Sequence, residues 1–354
     1  MRPIVILYNA LTLVFVVGAL ILLWRRKSRR LFFYAVVLGM ALVVFTTAGA
    51  LLSPIDAFGK SQLLCWAVFV HCPIFLIGVV LIACRQNHKS LAVMSVVFTI
   101  CIVMIGLYAF LIEPHWLEIS RVTIQSSKLD RPVRVAVIAD LQTDHPGEYE
   151  QYVFELVRAE DPDLILLAGD YLHISDESDY LAAKATLQVI LSSAELEAPL
   201  GVYAVRGNTD WGDWADIFAG IPVIPFDTTS SYDLGPQVLT GLSLTDSGDP
   251  NLCVSGREKF HIVLGHKPDF SLGQVEADLL IAGHTHGGQV RLPFIGPVVM
   301  VSRVPRAWAA GITQLAPGQH LIVSRGIGME RRNAPRLRFL CRPELLIIDL
   351  VPSE

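Results

Sequence analysis

The sequence predicts an α/β domain preceded by four membrane-spanning helices. Three observations lead there. The first 112 residues hold four uncharged apolar runs, each long enough to cross a bilayer as a helix. Beyond them, short apolar runs alternate with segments of helical periodicity, the pattern of a largely parallel sheet. Five of those short runs end directly in an acid, an amide or an imidazole, which is where open α/β sheets bind ligands.

The chain has 354 residues, 53% hydrophobic and 17% charged, too apolar for an ordinary soluble protein. Of its 28 basic and 33 acidic residues, positions 1–112 hold nine basic and one acidic, Asp56, a net of +8. The remainder holds 19 basic and 32 acidic residues, a net of −13. Two parts in two solvents are the simplest account. The acidic balance of the second gives no reason to expect a nucleic-acid partner.

The four runs are Ile4–Trp24, Leu31–Leu52, Leu63–Cys84 and Leu91–Ile112. The first is too long for a cleavable signal, and three more follow it. None shows the polar face of a soluble bundle helix. His71 and Pro73 lie in the third and read as a bonded histidine and a kink. No charge sits within a run, which argues against a transporter. Arg25, Arg26, Lys27, Arg29 and Arg30 follow the first run, and Arg85 and Lys89 follow the third. The positive-inside rule makes those loops cytoplasmic. The protein is then a multi-pass cell-membrane protein with its soluble domain outside, periplasmic or extracellular in a bacterium.

The expected domain layout is a transmembrane region over 1–112, a linker and first strand over 113–132, and a catalytic domain over 133–354. Trp116–Ile124 reads as the first strand. Val133–Ile138 is the next, running into Asp140 and Gln142. Tyr149–Glu160 has helical periodicity. Leu164–Leu167 leads to Asp170, and Tyr180–Leu196 reads as a helix. Gly201–Val205 leads to Asn208. Trp211–Ala219 reads as a short helix and Val223–Ile224 as a short strand. Asp227–Arg257 reads as loop around one strand, Val238–Leu244. Phe260–Leu264 ends at His266, and Ala277–Ile281 at His284 and His286. Leu321–Ser324 and Glu344–Leu350 close the chain as strands. Cys253 and Cys341 permit a disulfide without requiring one.

Seven oxygen or nitrogen donors at one sheet edge suit metal ions. Two-metal sites hold their ions about 3.5–4 Å apart, with a carboxylate as the natural bridge. Carboxylate, amide and imidazole together suit Mn²⁺ first, then Fe²⁺, Zn²⁺ or Mg²⁺, and the absence of thiolate argues against structural zinc. Asp144 and Asp210 read as supporting or capping groups. Arg206, Arg291 and Arg325 flank the motifs and read either as phosphate contacts or as surface ion pairs. Lys128, Arg131 and Arg134 are candidates for headgroup contacts.

In order along the chain stand Asp140-Leu141-Gln142, Gly169-Asp170, Gly207-Asn208-Thr209-Asp210, Gly265-His266 and Gly283-His284-Thr285-His286. This order resembles the calcineurin-like metallophosphoesterases. The stretches Gly287-Gly288-Gln289-Val290-Arg291-Leu292-Pro293, Ser324-Arg325-Gly326-Ile327-Gly328 and Arg342-Pro343-Glu344 are similar to the membrane-associated YkuE-type branch. The resemblance implies a four-layer α/β/β/α sandwich and two divalent ions. Asp140, Gln142, Asp170 and His286 would hold one; Asp170, Asn208, His266 and His284 would hold the other. It also implies hydrolysis of a phosphate monoester, diester or pyrophosphate by attack of a metal-bound hydroxide, with Asp170, Asn208, Thr209 and His284 closest to the chemistry. The substrate would be a small molecule, a lipid or an envelope polymer.

Two positions depart from the family pattern. Gln142 replaces a histidine, and Thr209 replaces the histidine that aids the leaving group in relatives. A threonine hydroxyl is no general acid at neutral pH. His145 and His173 are possible substitutes, though both read first as exposed loop residues. The alternatives are a UDP-diacylglucosamine-type lipid pyrophosphatase and a catalytically weak metal-binding sensor or scaffold.

Overall fold

The computed structural model describes residues 3–26 and 30–353. Lys27 and Arg29 of the first basic loop, and the C-terminal Glu354, lie outside the described residues. The chain forms two compact units. One extends to Leu111 and includes Asn333–Pro335; the other comprises Ile112–Arg332 and the chain from Arg336 on.

Among the described residues four helices are long and apolar enough to cross a membrane, all in the first unit apart from the last four residues of the fourth: α1 (Pro3–Arg25), α2 (Leu31–Leu52), α3 (Ala57–Arg85) and α4 (Lys89–His115). α3 starts earlier than the apolar run suggests, because Asp56 caps it by accepting from the Gly59 N–H. Pro73 lacks a donor and crowds the preceding turn, and α3 loosens into a π-helical turn at Ala67–His71 just before it. His71 Nε2 lies 2.8 Å from Asn9 Oδ1, and Thr12 and Thr46 hydroxyls bond back to Tyr8 and Leu42 carbonyls. Gly78 lets α1 approach closely: a Cβ there would lie 2.4 Å from Leu20. Val16, Leu23, Leu42, Phe75 and Val79 form the interior.

The second unit is a sandwich of two six-stranded sheets. In chain order its strands are β1 (Glu118–Ser126), β2 (Val133–Ile138), β3 (Leu164–Leu167), β4 (Val202–Val205), β5 (Val223–Phe226), β6 (Ser230–Asp233), β7 (Gln237–Gly241), β8 (Cys253–Val254), β9 (Phe260–Leu264), β10 (Gln274–Val275), β11 (Leu279–Ala282), β12 (Arg291–Leu292), β13 (Gly296–Pro297), β14 (Gly311–Ala316), β15 (Gln319–Val323) and β16 (Glu344–Pro352). The first sheet has the order β1-β16-β2-β3-β4-β5, and the second β14-β15-β11-β9-β7-β6. All neighbours are parallel except β16 with β2, β14 with β15, and β6 with β7.

The central strands read as unbroken apolar runs because both faces are buried. Val133, Val135 and Val137 face inward, meeting Ile262, Leu264 and Ile281 of the second sheet. Ala136 and Ile138 face outward onto α5 (Glu148–Ala159) and α6 (Glu177–Ser193), through Val153, Phe154 and Leu187. The layer outside the second sheet is thin. Short helical turns at Leu244–Ser247 and Pro268–Leu272, with Trp308, cover Val263, Leu280 and Leu321.

Several expected elements change. The strand read over Val238–Leu244 ends at Gly241, and Ser243 then caps a helical turn. Trp211–Ala219 condenses to a 3-10 turn, Trp214–Phe218. β6 and β14 are edge strands with mostly exposed residues, so no apolar run announces them. The parallel strands β2, β3, β4, β9 and β11 carry all seven candidate ligands just past their carboxyl ends.

Candidate functional site

The loops that leave these strands turn back sharply. Asp140, Gln142, Asp170, His284 and His286 adopt φ values of 50, 39, 57, 70 and 49°, all in the left-handed region. For non-glycine residues such backbone persists only where its surroundings enforce it, and it clusters at functional sites. The Asp140 N–H donates to Gly169 O (3.0 Å), Gln142 N–H to Asp170 O (2.8 Å), and Gly283 N–H to His266 O (3.0 Å). Gly207 is needed for close approach: a Cβ would lie 2.1 Å from Asp170 N and Oδ1.

Asp170, His266 and His284 each place a ligand atom within 4.8 Å of the others. The His266 Nδ1–H donates to Ala168 O at 2.8 Å, which fixes the ring and frees Nε2 for the site. That Nε2 lies 3.4 Å from Asp170 Oδ2 and 3.0 Å from Asn208 Oδ1. Asp170 Oδ1 accepts the Thr209 N–H at 2.7 Å. Both Asp140 oxygens accept the His284 N–H at 3.0 Å, and Asp140 Oδ1 lies 3.8 Å from His266 Nδ1. Asn208 is exposed at the mouth of the cluster.

Gln142 and His286 are buried and incomplete. Gln142 Oε1 and both ring nitrogens of His286 have no partner among the described residues. Buried polar atoms are rarely left this way, since each orphan costs about 1–3 kcal/mol. A bound cation would satisfy the amide oxygen and an imidazole nitrogen. Carboxylate, amide and imidazole donors together fit a divalent ion of borderline hardness.

The amide is held in a set orientation. Gln142 Nε2 lies 2.9 Å from His173 Nδ1, and the Glu330 carboxylate lies 3.5 Å from the same nitrogen. Burial, then Arg332, pushes His173 down to about 4, and in the neutral tautomer that carries its proton on Nε2 the ring accepts the amide N–H at Nδ1 and leaves Oε1 as the free end. His173→Ala is expected to weaken Mn²⁺ binding about 10–100-fold, as loss of a ligand's support does. In a Gln142→His background the same substitution should cost much less, because imidazole needs no amide orientation. Calorimetric titration checks this; an equal loss in both backgrounds would contradict it.

The charges are strongly coupled. Burial favours neutral His266, but Asp170, then Asp140, outweigh it and hold the ring up at about 9. Burial works to raise Asp170 too, yet His266 and the Thr209 N–H keep it well below the usual carboxylate range. Asp140 rises to about 7, mainly through burial and in part from the Asp170 charge. Burial and the His266 charge push His284 down to about 3. Burial, with Arg338, drives His286 well below its ordinary value.

These shifts set a pH dependence. His266 has a raised folded pKa, so its stabilisation is full below pH 6.5 and is lost as pH rises through about 9. Asp140, raised from 3.8 to about 7, also stabilises less as pH rises across that interval. Protons compete with a cation for both groups, so the cation binds more tightly as pH rises. The gain in Tm from saturating Mn²⁺ is therefore expected to grow between pH 6 and 9. A gain that shrinks over this range would contradict the assignment.

Neighbouring residues have narrower roles. Asp210 accepts N–H bonds from Gly207 (2.8 Å), Asp170 (2.9 Å) and Tyr171 (2.7 Å), clamping two motif loops together. Thr209 spends its hydroxyl proton on Leu172 O at 3.1 Å. His145 is exposed, but His173 is buried against Gln142, contrary to its reading as an exposed loop histidine. Asp144 pairs with Arg331 and Arg336. Arg325 pairs with Glu118 and Glu344, Arg206 donates to Asp210 O, and Arg291 donates to Gly287 O. Lys128 and Arg134 pair with Asp278 and Asp349, and Arg131 is exposed. Cys253 is exposed, Cys341 is buried, and both are free thiols.

Sequence reasoning missed Arg338. It is fully buried and donates only to main-chain carbonyls: Gly328 from Nε (3.1 Å), Cys341 from Nη1 (3.0 Å), and Arg325 and Gly326 from Nη2 (2.8 and 3.1 Å). Its only sequence signal is an arginine set between Leu337 and Phe339. The loop it holds presses on a candidate ligand: the Gly328 N–H donates to Asp140 O at 2.7 Å, and a Cβ on Gly326 would lie 2.7 Å from Asp140 Cβ.

Residues 133–288 match the family described as "Calcineurin-like phosphoesterase". The chain is 29% identical over 263 residues to "Uncharacterized metallophosphoesterase YkuE" of Bacillus subtilis, covering 69% of this chain and 88% of that protein. It is 28% identical over 276 residues to an "Uncharacterized metallophosphoesterase" of Aquifex aeolicus, covering 70% and 97%. It is 27% identical over 261 residues to "Phosphodiesterase YaeI" of Escherichia coli, covering 69% and 92%. Residues 133–288 therefore form a calcineurin-like phosphoesterase domain, and the protein is a metal-dependent hydrolase.

Proposed function

We propose that this protein is a membrane-anchored phosphodiesterase that uses two divalent ions and acts on the outer side of the cell membrane. The observation that carries the site is the meeting of Asp170, His266 and His284 within 4.8 Å, on loops from two different sheets. Asp170 has two carboxylate oxygens, one of them 3.4 Å from His266 Nε2, which suits a bridge. Asp140, Gln142 and His286 would complete one ion's donors, and Asn208, His266 and His284 the other's. Mn²⁺ is the first candidate, because an amide oxygen at Gln142 favours a harder ion than a third imidazole would. When bound, such ions supply a nucleophile at neutral pH and offset charge on the phosphoryl oxygens.

The protein's own groups do the rest. Exposed Asn208 can offer its amide N–H to a phosphoryl oxygen while its Oδ1 faces His266. The Thr209 hydroxyl is committed to Leu172 O and protonates no leaving group. Substrates whose leaving group needs little protonation are therefore favoured, such as aryl or nucleotide phosphodiesters. The printed name of the Escherichia coli relative supports a diester.

Arg25, Arg26, Arg85 and Lys89 flank the helices on one side and support a cytoplasmic location for those loops. The catalytic domain is then periplasmic or extracellular, where a lipid or envelope-polymer phosphate is within reach. The test is a panel of aryl diesters, aryl monoesters, nucleoside diphosphate esters and phospholipids with Mn²⁺, Mg²⁺ or Zn²⁺, run beside fusions that report the side of the C-terminus. Mn²⁺-dependent diester cleavage and an external C-terminus are expected. Cleavage untouched by chelation, or a cytoplasmic C-terminus, would overturn the corresponding half.

A further inference from the structure

Between Asp278 and Glu330 the chain has no acidic residue, although Arg291, Arg303, Arg306 and Arg325 fall there. This gap lies in a part of the chain whose net charge is −13. Within it, β12 and β13 form a small antiparallel hairpin with Pro293, Phe294 and Ile295 at its tip. Phe294 is 108% exposed and Ile295 62%; Leu292 of the same hairpin is exposed too, as are Val298 and Val301 in the segment that follows it. Exposed apolar side chains normally occur singly, and a contiguous group marks an interaction surface. Phe294 also has φ 67°, a conformation that favours glycine, yet it carries the bulkiest side chain of the turn.

The hairpin is firmly attached. The Val298 N–H donates to Val290 O at 3.0 Å, and Gly288 leaves no space beneath it, since a Cβ there would lie 2.4 Å from Pro297 Cβ. The segment leaving it is pinned by Asp269, which accepts from the Ser302 hydroxyl (3.1 Å) and the Arg303 N–H (2.7 Å). Val301 O lies 3.3 Å from His284 Nε2, so the segment that follows the hairpin is braced against the candidate site. Arg303 and Arg306 are exposed at its base.

We propose that this hairpin docks the catalytic domain onto an anionic lipid bilayer, with Phe294 and Ile295 entering the acyl boundary and Arg303 and Arg306 meeting lipid phosphates. Aromatic and aliphatic side chains backed by cations are the composition of an interfacial anchor. Along the chain only Trp116 and Leu117 lie between α4 and β1, so the tether that docking would act through is short. Docking would bring the His284 side of the site to the headgroup layer, where phosphate esters of lipids lie. The proposal rests on reading the four apolar helices as membrane spans.

The test uses the full chain in vesicles of phosphatidylethanolamine and phosphatidylglycerol. The photoreactive residue p-benzoylphenylalanine is placed singly at Phe294, at Phe98 of α4, or at exposed Tyr152 of α5. Lipid adducts are expected at 294 and 98, with none at 152. Adducts at 98 alone, or at all three positions alike, would overturn the docking. An adduct of 294 with protein, whether a second copy or another chain, would overturn it as well. No lipid adduct at 98 would overturn the membrane reading and the docking with it.

Discussion

Asp170→Asn is expected to lower kcat on an aryl phosphodiester by at least about a thousandfold, the scale expected when a key electrostatic group of a site is lost. The substitution preserves shape: an amide oxygen can still accept the Thr209 N–H that Oδ1 accepts at 2.7 Å. It removes the negative charge that faces His266 across 3.4 Å. That charge is the main influence holding His266 high against burial, and a cation meeting the same donors would depend on it equally. The variant should therefore fold, lose bound Mn²⁺ and lose turnover together. Circular dichroism, metal analysis and kinetics on one preparation check all three. Near-normal kcat in a folded variant would remove Asp170 from the centre of the site.

The second large effect is on stability. Arg338→Met keeps the side-chain length but strips the donors from four main-chain carbonyls, the buried ones of Gly326, Gly328 and Cys341 and the half-buried one of Arg325. Each orphaned carbonyl costs about 1–3 kcal/mol, and relaxation or entering water recovers part. A net loss of about 4 kcal/mol is expected, which for a domain of this size lowers Tm by roughly 10 °C. The loss should reach the site, because the released loop normally presses on Asp140 through Gly326 and Gly328. Weaker Mn²⁺ binding should accompany the lower Tm, and Arg338→Lys should restore only part of either. A Tm within about 2 °C of the parent would mean that this guanidinium contributes little net stability.

The α/β class and the two-sheet core are legible in the sequence because β2, β3, β4, β9 and β11 are buried on both faces. Such strands read as short apolar runs, and their ends are marked by the first polar residue that follows. β6 and β14 escape that reading, since an exposed edge strand has no apolar period to betray it. Depth in a loop is equally hard to read. His173 sits in a segment of ordinary loop composition, and its burial depends on Gln142 and Glu330, 31 and 157 positions away. Arg338 is illegible for a related reason. Its partners are main-chain carbonyls, which carry no sequence signature. Asp210 is partly legible, because an acid closing the Gly207-Asn208-Thr209 turn is well placed to accept backbone N–H groups, and it accepts them from both motif loops.

The account turns on a pair of cations sharing Asp170. Electron paramagnetic resonance of the full chain titrated with Mn²⁺ tests that directly, because ions about 3.5–4 Å apart are magnetically coupled. The predicted result is two Mn²⁺ per chain with a coupled spectrum that disappears in Asp170→Asn. A single ion per chain, or two ions giving only the isolated six-line signal, would contradict it.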